Sequence, residues 1–405
     1  MDMKHVFICG AKSFGQYGGF ETFVDKLTQY HRDQNEIRYH IACKANGNGS
    51  AGGALPAGAE KLPDENGKEQ FIYHNTHCFR IRTPDLGALQ SVLYDIAAIR
   101  YSIDYCKRHG IRKPVIYVLT CRIGPFIGRL RKQIRKAGGK LVINPDGHEW
   151  QREKWSFPIR KYWKYSEKKM VAAADRVVCD SKEIEAYVRG KYGKNAVTFI
   201  PYGAETDPSV LADDDPAFLR WMEQNGLEKG SYYLMVCRFV PENSFREIIA
   251  AFMKSSTRKK LAVITTEDAK YFSKLEKELH FSSDPRICFT GTLYDQELLK
   301  KVRENAFAYI HGHTAGGTNP TLLEAMALTK VCLLRDVGFN REVGKDTVLY
   351  WKSADLADLI ARMEALPEED RSAMGRKAAD RIRAAYSWER IAEDYLELWR
   401  SCDEE

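Results

Sequence analysis

The sequence predicts an α/β protein with two doubly wound parallel-sheet domains. Apolar strand patterns alternate with amphipathic helix patterns almost without interruption. The alternation runs as two successive series, separated by a stretch at 201–216 that contains Pro, Gly and an acidic triplet. The chain has 405 residues, which is too long for one ordinary core but suits two domains of about 200 residues each.

The first series supplies the elements of the first predicted domain. In chain order they are strand 5–9, helix 20–30, strand 37–43, a mobile Gly-rich loop 45–58, strand 71–81, helix 89–108, strand 115–119, helix 126–136, strand 141–144, helix 159–174, strand 176–179, helix 182–192 and strand 197–200.

The second series begins after the acidic stretch. Its predicted strands are 232–237, 261–265, 286–289, 306–310, 331–334 and 347–350. A terminal helix near 388–399 carries Ile391, Tyr395, Leu398 and Trp399 on one face. We therefore predict domains at 1–203 and 204–384, with a terminal helix in 385–405 that braces the first domain.

Several protein classes are disfavoured by composition. No apolar run approaches the roughly 20 residues that cross a bilayer, so no transmembrane helix is predicted. The first ten residues lead directly into a strand without an apolar signal region, which predicts no signal peptide. The ten cysteines are scattered and form no CxxC pair, a pattern typical of reduced, buried thiols in a cytoplasmic protein.

Positive charge is concentrated in one segment. The chain carries a net charge of +7, and residues 122–169 contain 14 Lys or Arg against four Asp or Glu. Trp, Tyr and Phe alternate with these cations, in the pattern of a surface that contacts anionic lipid headgroups. A solvated face and a nucleic-acid surface remain alternatives, although no helix-turn-helix, RRM or OB pattern accompanies the segment.

The most informative motif is the stretch 311–328. An apolar strand leads into a Gly-rich turn and then into a helix that begins near Thr318. Backbone N–H groups and the positive end of a helix dipole at such a turn can bind phosphate. Glu324 lies in the second helical turn, where it could accept hydrogen bonds from a sugar hydroxyl. The alternative is an ordinary tight turn followed by a solvated Glu.

Two further strand ends fit phosphate binding. The first strand is followed by Gly18 and Gly19 at the start of a helix with Glu21 in its first turn. This segment matches neither GxGxxG nor a P-loop, which disfavours both of those nucleotide sites. Arg238 follows a buried strand and could bind a diphosphate with two hydrogen bonds. A plain turn and a surface salt bridge are the respective alternatives.

Other polar residues suggest weaker hypotheses. Asp146, His148 and Glu149 follow strand 141–144 and could orient a substrate or move a proton, or could be loop residues satisfied by backbone. His311 and His313 indicate a metal pair only weakly. The acidic triplet 213–215 is interpreted as linker and not as a metal site.

Together these segments resemble the retaining GT-B glycosyltransferases of the family 4 type. Within that family the chain is similar to bacterial β-1,4-rhamnosyltransferases of capsule and cell-wall polysaccharide assembly, along nearly its whole length. The motifs that carry the resemblance are Tyr17-Gly-Gly-Phe-Glu-Thr-Phe23, Asn144-Pro-Asp-Gly-His-Glu-Trp150, Arg238-Phe-Val-Pro-Glu-Asn243 and Gly316-Gly-Thr-Asn-Pro-Thr-Leu-Leu-Glu324.

The resemblance implies a GT-B fold, two Rossmann-like domains facing across a crevice, with the acceptor bound by the first domain and the nucleotide sugar by the second. The implied catalytic residues are Asp146, His148, Glu149 and Arg238. The implied donor-binding residues are Gly18, Gly19, Arg238, Asn243, Gly291, Tyr294, Gly316, Gly317, Thr318, Asn319 and Glu324. The implied acceptor or membrane residues are Glu21, Trp150, Arg152, Lys154, Trp155 and Trp163.

The sequence departs from the broad family at three positions. Asn243 stands where a Lys is usual, Gly316 replaces the first Glu of the Glu-x7-Glu motif, and Asp146 occupies the place of a crevice His. We interpret these departures as features of the branch. They weaken a direct transfer of roles from the family.

The implied activity is retaining transfer of L-rhamnose from dTDP-L-rhamnose to a polyprenyl-diphosphate-linked sugar. No metal or other cofactor is expected, because Arg and helix N-termini would stabilise the leaving diphosphate. We expect a cytoplasmic protein that contacts the anionic inner face of the membrane and binds no nucleic acid. A UDP- or GDP-sugar donor and a non-catalytic nucleotide-sugar sensor remain the alternatives.

Overall fold

The computed structural model describes residues 3–15, 18–152 and 155–402. The chain divides into two compact units. The first comprises Met1–Tyr202 together with Trp388–Glu405, and the second comprises Gly203–Ser387. The first unit therefore draws on two separate stretches of the chain.

The strands in the described residues are β1 Lys4–Cys9, β2 Ile37–Lys44, β3 Glu60–Glu65, β4 Lys68–Tyr73, β5 Thr76–Ile81, β6 Val115–Leu119, β7 Lys140–Asn144, β8 Arg176–Cys179, β9 Val197–Phe199, β10 Tyr232–Val236, β11 Lys260–Ile264, β12 Ile287–Gly291, β13 Ala308–His311, β14 Cys332–Arg335 and β15 Leu349–Trp351.

The α-helices in the same residues are α1 Gly19–Tyr30, α2 Ala88–Arg108, α3 Gly124–Lys136, α4 Phe157–Ala173, α5 Lys182–Tyr192, α6 Pro216–Gln224, α7 Phe245–Lys254, α8 Ala269–Leu279, α9 Gln296–Glu304, α10 Pro320–Leu328, α11 Gly338–Gly344, α12 Leu356–Glu364, α13 Glu368–Tyr386 and α14 Trp388–Ser401. None of these helices is both long enough and apolar enough to cross a membrane.

The sheet of the first unit has the order β3-β4-β5-β2-β1-β6-β7-β8-β9 over the described residues. All neighbouring strands from β5 to β9 pair in parallel. The chain builds outward from β1 to β2 on one side and later to β6 on the other. The strand order therefore reverses between β1 and β6, and such a switch point opens a ligand crevice at the carboxyl ends of the strands.

The prediction of a single strand over 71–81 is wrong. Strands β4 and β5 are two antiparallel strands joined at His74 and Asn75, and β3, which was not predicted, pairs antiparallel with β4. His74 and Asn75 both adopt left-handed φ angles, of 48° and 54°. Two successive left-handed residues form the tight turn that matches the twist of a hairpin.

The second unit contains a parallel sheet with the order β12-β11-β10-β13-β14-β15 in the described residues. Its central strands are apolar and fully buried, as expected when helices cover both faces of a parallel sheet. Here the strand order reverses between β10 and β13. The loops that follow these two strands thus flank the switch point of the second unit.

Helix α14 packs against the sheet of the first unit. Tyr395 and Trp399 are fully buried, and the Trp399 indole N–H donates to the Tyr39 hydroxyl at 2.9 Å. The Tyr395 and Tyr117 hydroxyls lie 3.0 Å apart. The apolar face of α14 thus completes the core of a unit whose other described elements all lie within the first 202 residues.

Candidate active site

The Gly-rich turn of the second unit lies between β13 and α10. The Asn319 side chain caps α10 by accepting a hydrogen bond from the Thr321 backbone N–H at 3.0 Å. Gly316 has a φ of 126°, and a Cβ at this position would lie 3.1 Å from His313 Nε2. Glycine is therefore favoured at 316 by backbone conformation and by space. The turn leads directly into the N-terminus of a capped helix, where backbone N–H groups can bind an anion.

Arg238 and Asn243 lie in the loop after β10. The Arg238 side chain is exposed at the carboxyl end of the sheet. Asn243 is buried, and its amide nitrogen donates to the Arg238 carbonyl at 2.7 Å. Because its Oδ1 can only accept, the 2.9 Å contact with His313 Nδ1 is an N–H donated by the histidine. Asn243 thus holds the two loops together, and its predicted contact with the donor stays a prediction.

The loops after β10 and β13 are packed directly against each other. The Ser244 hydroxyl donates to the Gly312 carbonyl at 2.7 Å, and the Thr314 N–H donates to the Glu242 carbonyl at 2.9 Å. A Cβ at Gly312 would lie 2.2 Å from the Asn243 carbonyl oxygen. The two strand ends at the switch point therefore form one polar surface, fixed by hydrogen bonds to backbone carbonyls.

Glu324 forms an ion pair inside the second unit. Its Oε2 lies 2.6 Å from Arg303 Nη2, and the Arg303 side chain is only 2% exposed. The Glu324 side chain keeps 26% exposure. A buried guanidinium thus fixes the orientation of a carboxylate that remains accessible to a ligand.

The remaining residues predicted to bind the sugar donor lie at the carboxyl side of the same sheet, either on loops or at a strand end. Gly317 and Thr318 are buried in the turn before α10. Gly291 ends β12 with a φ of 74°, and its carbonyl accepts from the Thr265 N–H at 3.0 Å. Tyr294 is 65% exposed. Because β11 separates β12 from β10, Gly291 and Tyr294 lie toward one edge of this side.

In the first unit, Glu21 folds back over the start of α1. Its Oε1 accepts the Lys12 backbone N–H at 2.8 Å. A Cβ at Gly18 would lie 2.3 Å from Glu21 Oε2, whereas a Cβ at Gly19 would meet nothing within 4 Å. Gly18 therefore makes room for the Glu21 carboxylate, which already lies near the N-terminus of α1.

Asp146 follows β7 in a left-handed conformation with a φ of 60°. Its backbone N–H donates to Asn144 Oδ1 at 2.8 Å. Burial raises the pKa of the Asp146 carboxyl, and the nearby Arg152 guanidinium opposes this rise. Asp146 Oδ2 lies 3.8 Å from Arg152 Nη2. A carboxyl with a raised pKa at a strand end is suited to hold or accept a proton.

Glu149 and His148 are positioned by different neighbours. Glu149 pairs with Arg152 at 2.5 Å and accepts the Trp155 indole N–H at 3.1 Å. The His148 ring packs edge-on against Tyr187, with centroids 4.4 Å apart. Burial lowers the pKa of His148, so its imidazole is neutral at pH 7. The structure thus brings Asp146, Glu149 and Arg152 together, with His148 against an aromatic ring.

The predicted acceptor or membrane tryptophans have different surroundings. Trp150 is partly buried beneath the ammonium groups of Lys164 and Lys191, which lie 4.6 Å and 5.2 Å from its ring. Trp155 and Trp163 pack against each other with centroids 6.3 Å apart. Lys154 lies outside the described residues. Trp150 is thus held by two cations within the protein.

Several residues that contact the site residues or hold their loops carry no signal in the sequence alone. His313 was considered only as a weak metal ligand, yet it connects the two loops of the second unit. Arg303 was not singled out, because nothing in its local sequence indicates burial against Glu324. Arg122 was counted only as part of the basic segment, although it pairs with the buried Asp95.

The described residues offer neither a clustered metal site nor an activated buried cysteine. They contain no group of three or more His, Cys, Asp or Glu side chains able to hold a metal ion. All ten cysteines are free thiols, and eight of them are buried. Burial raises the pKa of several of these thiols, among them Cys9 and Cys43, both to about 12. The thiols with a raised pKa are therefore protonated and unreactive at neutral pH.

The second unit matches the family described as "Glycosyl transferases group 1" over residues 218–381. Two parallel-sheet units, each with a switch point, together with this match, define a glycosyltransferase with the GT-B fold. The prediction of two parallel-sheet α/β domains with the GT-B fold is confirmed, and so is the prediction of a glycosyltransferase.

The chain belongs to the family described as "Domain of unknown function (DUF1972)", which matches residues 3–205, half of its length. A comparison with curated protein sequences finds no match.

Solved structures with the same fold have low sequence identity to this chain. Sucrose-phosphate synthase from Thermosynechococcus elongatus has a TM-score of 0.74 at 17% identity, and the match covers 98% of both chains. A glycosyltransferase from Rickettsia africae has a TM-score of 0.71 at 11% identity, covering 99% of both. Anabaena HepE in complex with UDP has a TM-score of 0.68 at 14% identity, covering 98% of this chain and all of HepE.

Proposed function

We propose that this glycosyltransferase moves L-rhamnose from dTDP-L-rhamnose to a polyprenyl-diphosphate-linked sugar, with retention and through a β-1,4 linkage. The product would enter capsule or cell-wall polysaccharide. The observation that carries the donor half of the proposal is the packed pair of loops at the switch point of the second unit, where exposed Arg238 and the start of α10 share one sheet edge.

The donor diphosphate would bind at this edge. Arg238 offers a planar fork of donors that matches two phosphate oxygens. The capped α10 adds backbone N–H groups and the positive end of its dipole. Glu324, oriented by Arg303, would accept hydrogen bonds from the nucleotide's sugar. Gly291 and Tyr294 would lie toward the base.

Chemistry in this proposal needs no protein nucleophile. As the bond between the sugar and the diphosphate breaks, negative charge grows on the leaving oxygens. Arg238 and the α10 N-terminus would stabilise that charge. The departing diphosphate would take the acceptor's hydroxyl proton on the same face, which gives retention. Asp146, with its raised pKa, would orient the acceptor's hydroxyl group through a hydrogen bond or share its proton.

The lipid-linked acceptor would be presented by the basic segment of the first unit. Phe126, Phe157, Ile159 and Tyr165 are exposed large apolar side chains on α3 and α4. Lys161 lies 4.4 Å from the Phe157 ring, so cation and ring share one surface. Such a surface suits the headgroup region of an anionic membrane. We therefore propose peripheral association with the cytoplasmic face of the membrane.

The test is a binding and transfer panel. Thermal shifts are measured with dTDP, UDP and GDP and with the corresponding nucleotide sugars. The masses of the products are then measured by mass spectrometry after incubation with a synthetic lipid-diphosphate sugar. The proposal expects stabilisation by dTDP-L-rhamnose and a gain of one deoxyhexose on the lipid. Glu324→Ala should lower donor affinity or turnover about 10-fold or more, because a hydrogen bond to a charged group is lost. Unchanged kinetics would contradict the assignment of Glu324.

A UDP-sugar donor is the second candidate. It is favoured by the structural likeness to HepE, which was solved with UDP and glucose. Stabilisation by UDP-sugars, with transfer of their sugar, would keep the site and replace the rhamnose assignment. Binding without product across all acceptors would point instead to a nucleotide-sugar sensor.

A further inference from the structure

We propose that Arg122 is the centre of an anion-binding site in the first unit, and that it takes a phosphate or diphosphate group of the acceptor. The identity of the acceptor rests on the proposed function. The existence of the anion site does not, because it follows from charges and hydrogen bonds inside the first unit.

Arg122 stands at the switch point of the first sheet, three residues after the end of β6. Its Nε donates to the Thr120 hydroxyl at 2.7 Å. Thr120 has a φ of 76°, which is strained for a β-branched residue, and its N–H is held by the Asn144 carbonyl at 2.8 Å. Strain that is held in place at a strand end often marks a functional position.

The Arg122 guanidinium forms an ion pair with the carboxylate of Asp95 on α2. Asp95 is fully buried, and its Oδ2 lies 3.1 Å from Arg122 Nε. Neither carboxylate oxygen of Asp95 accepts a hydrogen bond from the described residues, so its contact with Arg122 is an ion pair without a hydrogen bond. Burial raises the pKa of Asp95 to about 6, against the effect of Arg122. Arg122 therefore keeps this carboxylate charged at neutral pH.

The terminal nitrogens of Arg122 are not used in these contacts. The Thr120 hydrogen bond and the closest contact with Asp95 both involve Nε, and Nη1 and Nη2 make no hydrogen bond within the described part of the chain. The side chain is 12% exposed. A partly accessible guanidinium with its outer edge open matches two oxygens of a phosphate.

Arg122 and Lys44 lie close enough at this edge for their charges to act on each other, beside the carboxylates of Asp95, Asp85 and Asp146. Lys44 ends β2 with 3% exposure, and its ammonium donates to Gln90 Oε1 at 3.2 Å. Burial, followed by the charges of Lys12 and Arg122, lowers the pKa of Lys44, and the carboxylates of Asp95 and Asp85 oppose this only in part. The amide nitrogen of buried Gln90 has no partner. An anion bound here would relieve the repulsion among the cations.

Phosphate is the chemistry that fits these donors, and it could come from a lipid-linked diphosphate or from a free phosphate. The first test is calorimetric titration of inorganic pyrophosphate into the full chain carrying Arg238→Gln, which removes the predicted diphosphate contact of the second unit. We expect binding to persist and to weaken about 10-fold or more when Arg122→Gln is added, since charge-assisted hydrogen bonds are lost. Equal affinity with and without Arg122→Gln would overturn the site.

Two variants separate binding from folding. Arg122→Gln leaves Asp95 buried and unpaired, which can unfold the unit, so the titration is repeated with Arg122→Gln and Asp95→Asn together. The same loss of affinity in this variant, with a normal thermal transition, supports the site. Arg112→Gln is the matched control, because Arg112 is an exposed arginine before the amino end of β6. A similar loss with Arg112→Gln would mean that only overall charge is being measured.

Geranyl diphosphate distinguishes the two sources of phosphate. Tighter binding of geranyl diphosphate than of pyrophosphate supports a lipid-linked acceptor. Equal affinity overturns that part of the inference and leaves a site for a free phosphate. None of these titrations requires sugar transfer. They can therefore succeed when the rhamnosyltransferase assay fails, and the reverse also holds.

Discussion

At the scale of single residues, three imidazoles form a hydrogen-bonded chain across the sheet of the first unit. His77 Nε2 lies 2.8 Å from Gln70 Oε1, and the Gln70 amide nitrogen faces Glu65 at 3.2 Å. Since Glu65 only accepts, Gln70 Oε1 must accept from His77. His77 Nδ1 then accepts a hydrogen bond from His40 Nδ1 at 2.9 Å. His40 Nε2 in turn accepts one from His5 Nδ1 at 2.9 Å. One set of neutral tautomers satisfies the whole chain.

These hydrogen-bonded imidazoles make the stability of the folded protein depend on pH. Burial, followed by the charges of His109 and Arg38, lowers the pKa of His77 from 6.5 to about 4. The unfolded chain therefore takes up a proton as pH falls through 6.5, whereas the folded chain resists until about pH 4. We expect this residue to remove up to about 3 kcal/mol of stability between those values. The check is urea unfolding at pH 7.0, 5.5 and 4.5.

His77→Gln should flatten this loss relative to the natural chain, although it lowers stability at pH 7. The difference between His77→Gln and the natural protein is the quantity to compare. Asp95, with a raised pKa of about 6, changes the pH dependence of stability in the opposite sense in both proteins. His280→Asn is the matched control, since His280 is exposed in the second unit. Equal slopes for His77→Gln and the natural chain would contradict the prediction.

Individual site residues could be predicted only where a local motif accompanied them. Arg238, Gly316 and Glu324 were found because each sits at a fixed distance from a strand or a helix start. Arg122 and Arg303 were not distinguished, because their partners, Asp95 and Glu324, lie 27 and 21 positions away in the sequence. A buried ion pair between distant residues leaves no local pattern in a single sequence.

At the scale of elements, the cap of α10 links stability to the donor site. Asn319→Ala should destabilise the second unit by about 1 kcal/mol, because the Thr321 N–H loses its acceptor. It should also raise the KM for the nucleotide sugar, since the helix start becomes less ordered. Thermal unfolding and donor titration of the same protein measure the two effects.

The control for this prediction is another helix cap of the same unit. Asp268 caps α8 by accepting the Tyr271 N–H at 2.9 Å, so Asp268→Ala should cost similar stability. The KM for the donor should stay unchanged in that variant. If both caps change the KM equally, the effect of Asn319→Ala reflects loss of stability alone.

Most elements were predictable because hydrophobic periodicity decides the identity of long helices and buried strands. Strands β6 and β8 and helix α5 have the predicted bounds. The hairpin of β4 and β5 was missed, because His74 and Asn75 lack the Asn-Gly or Asp-Gly signal of a tight turn. Strand β3 was missed as well, since its residues are mostly exposed and show no apolar alternation.

At the scale of the whole molecule, the first unit needs helix α14. A chain that ends at Ser387 lacks the hydrogen bonds of Tyr395 and Trp399 and uncovers the face on which they pack. We expect rapid proteolysis within the first 202 residues, while a fragment of residues 203–387 stays resistant. The measurement is limited trypsin digestion with mass analysis.

The control for truncation is a chain that ends at Cys402, which keeps all of α14 and should digest like the full protein. Resistance of the first 202 residues without α14 would contradict the prediction. The doubly wound architecture itself was predictable, because two βα series are visible in the sequence.

The same arrangement imposes an order in time during protein synthesis. Domains usually fold from the N-terminus as the ribosome releases them. Here the second unit is complete once Ser387 has left the exit tunnel, whereas the first unit still awaits Trp388–Ser401. The half of the chain that is made first is therefore the half that finishes folding last, and its apolar sheet face stays uncovered while the second unit is translated.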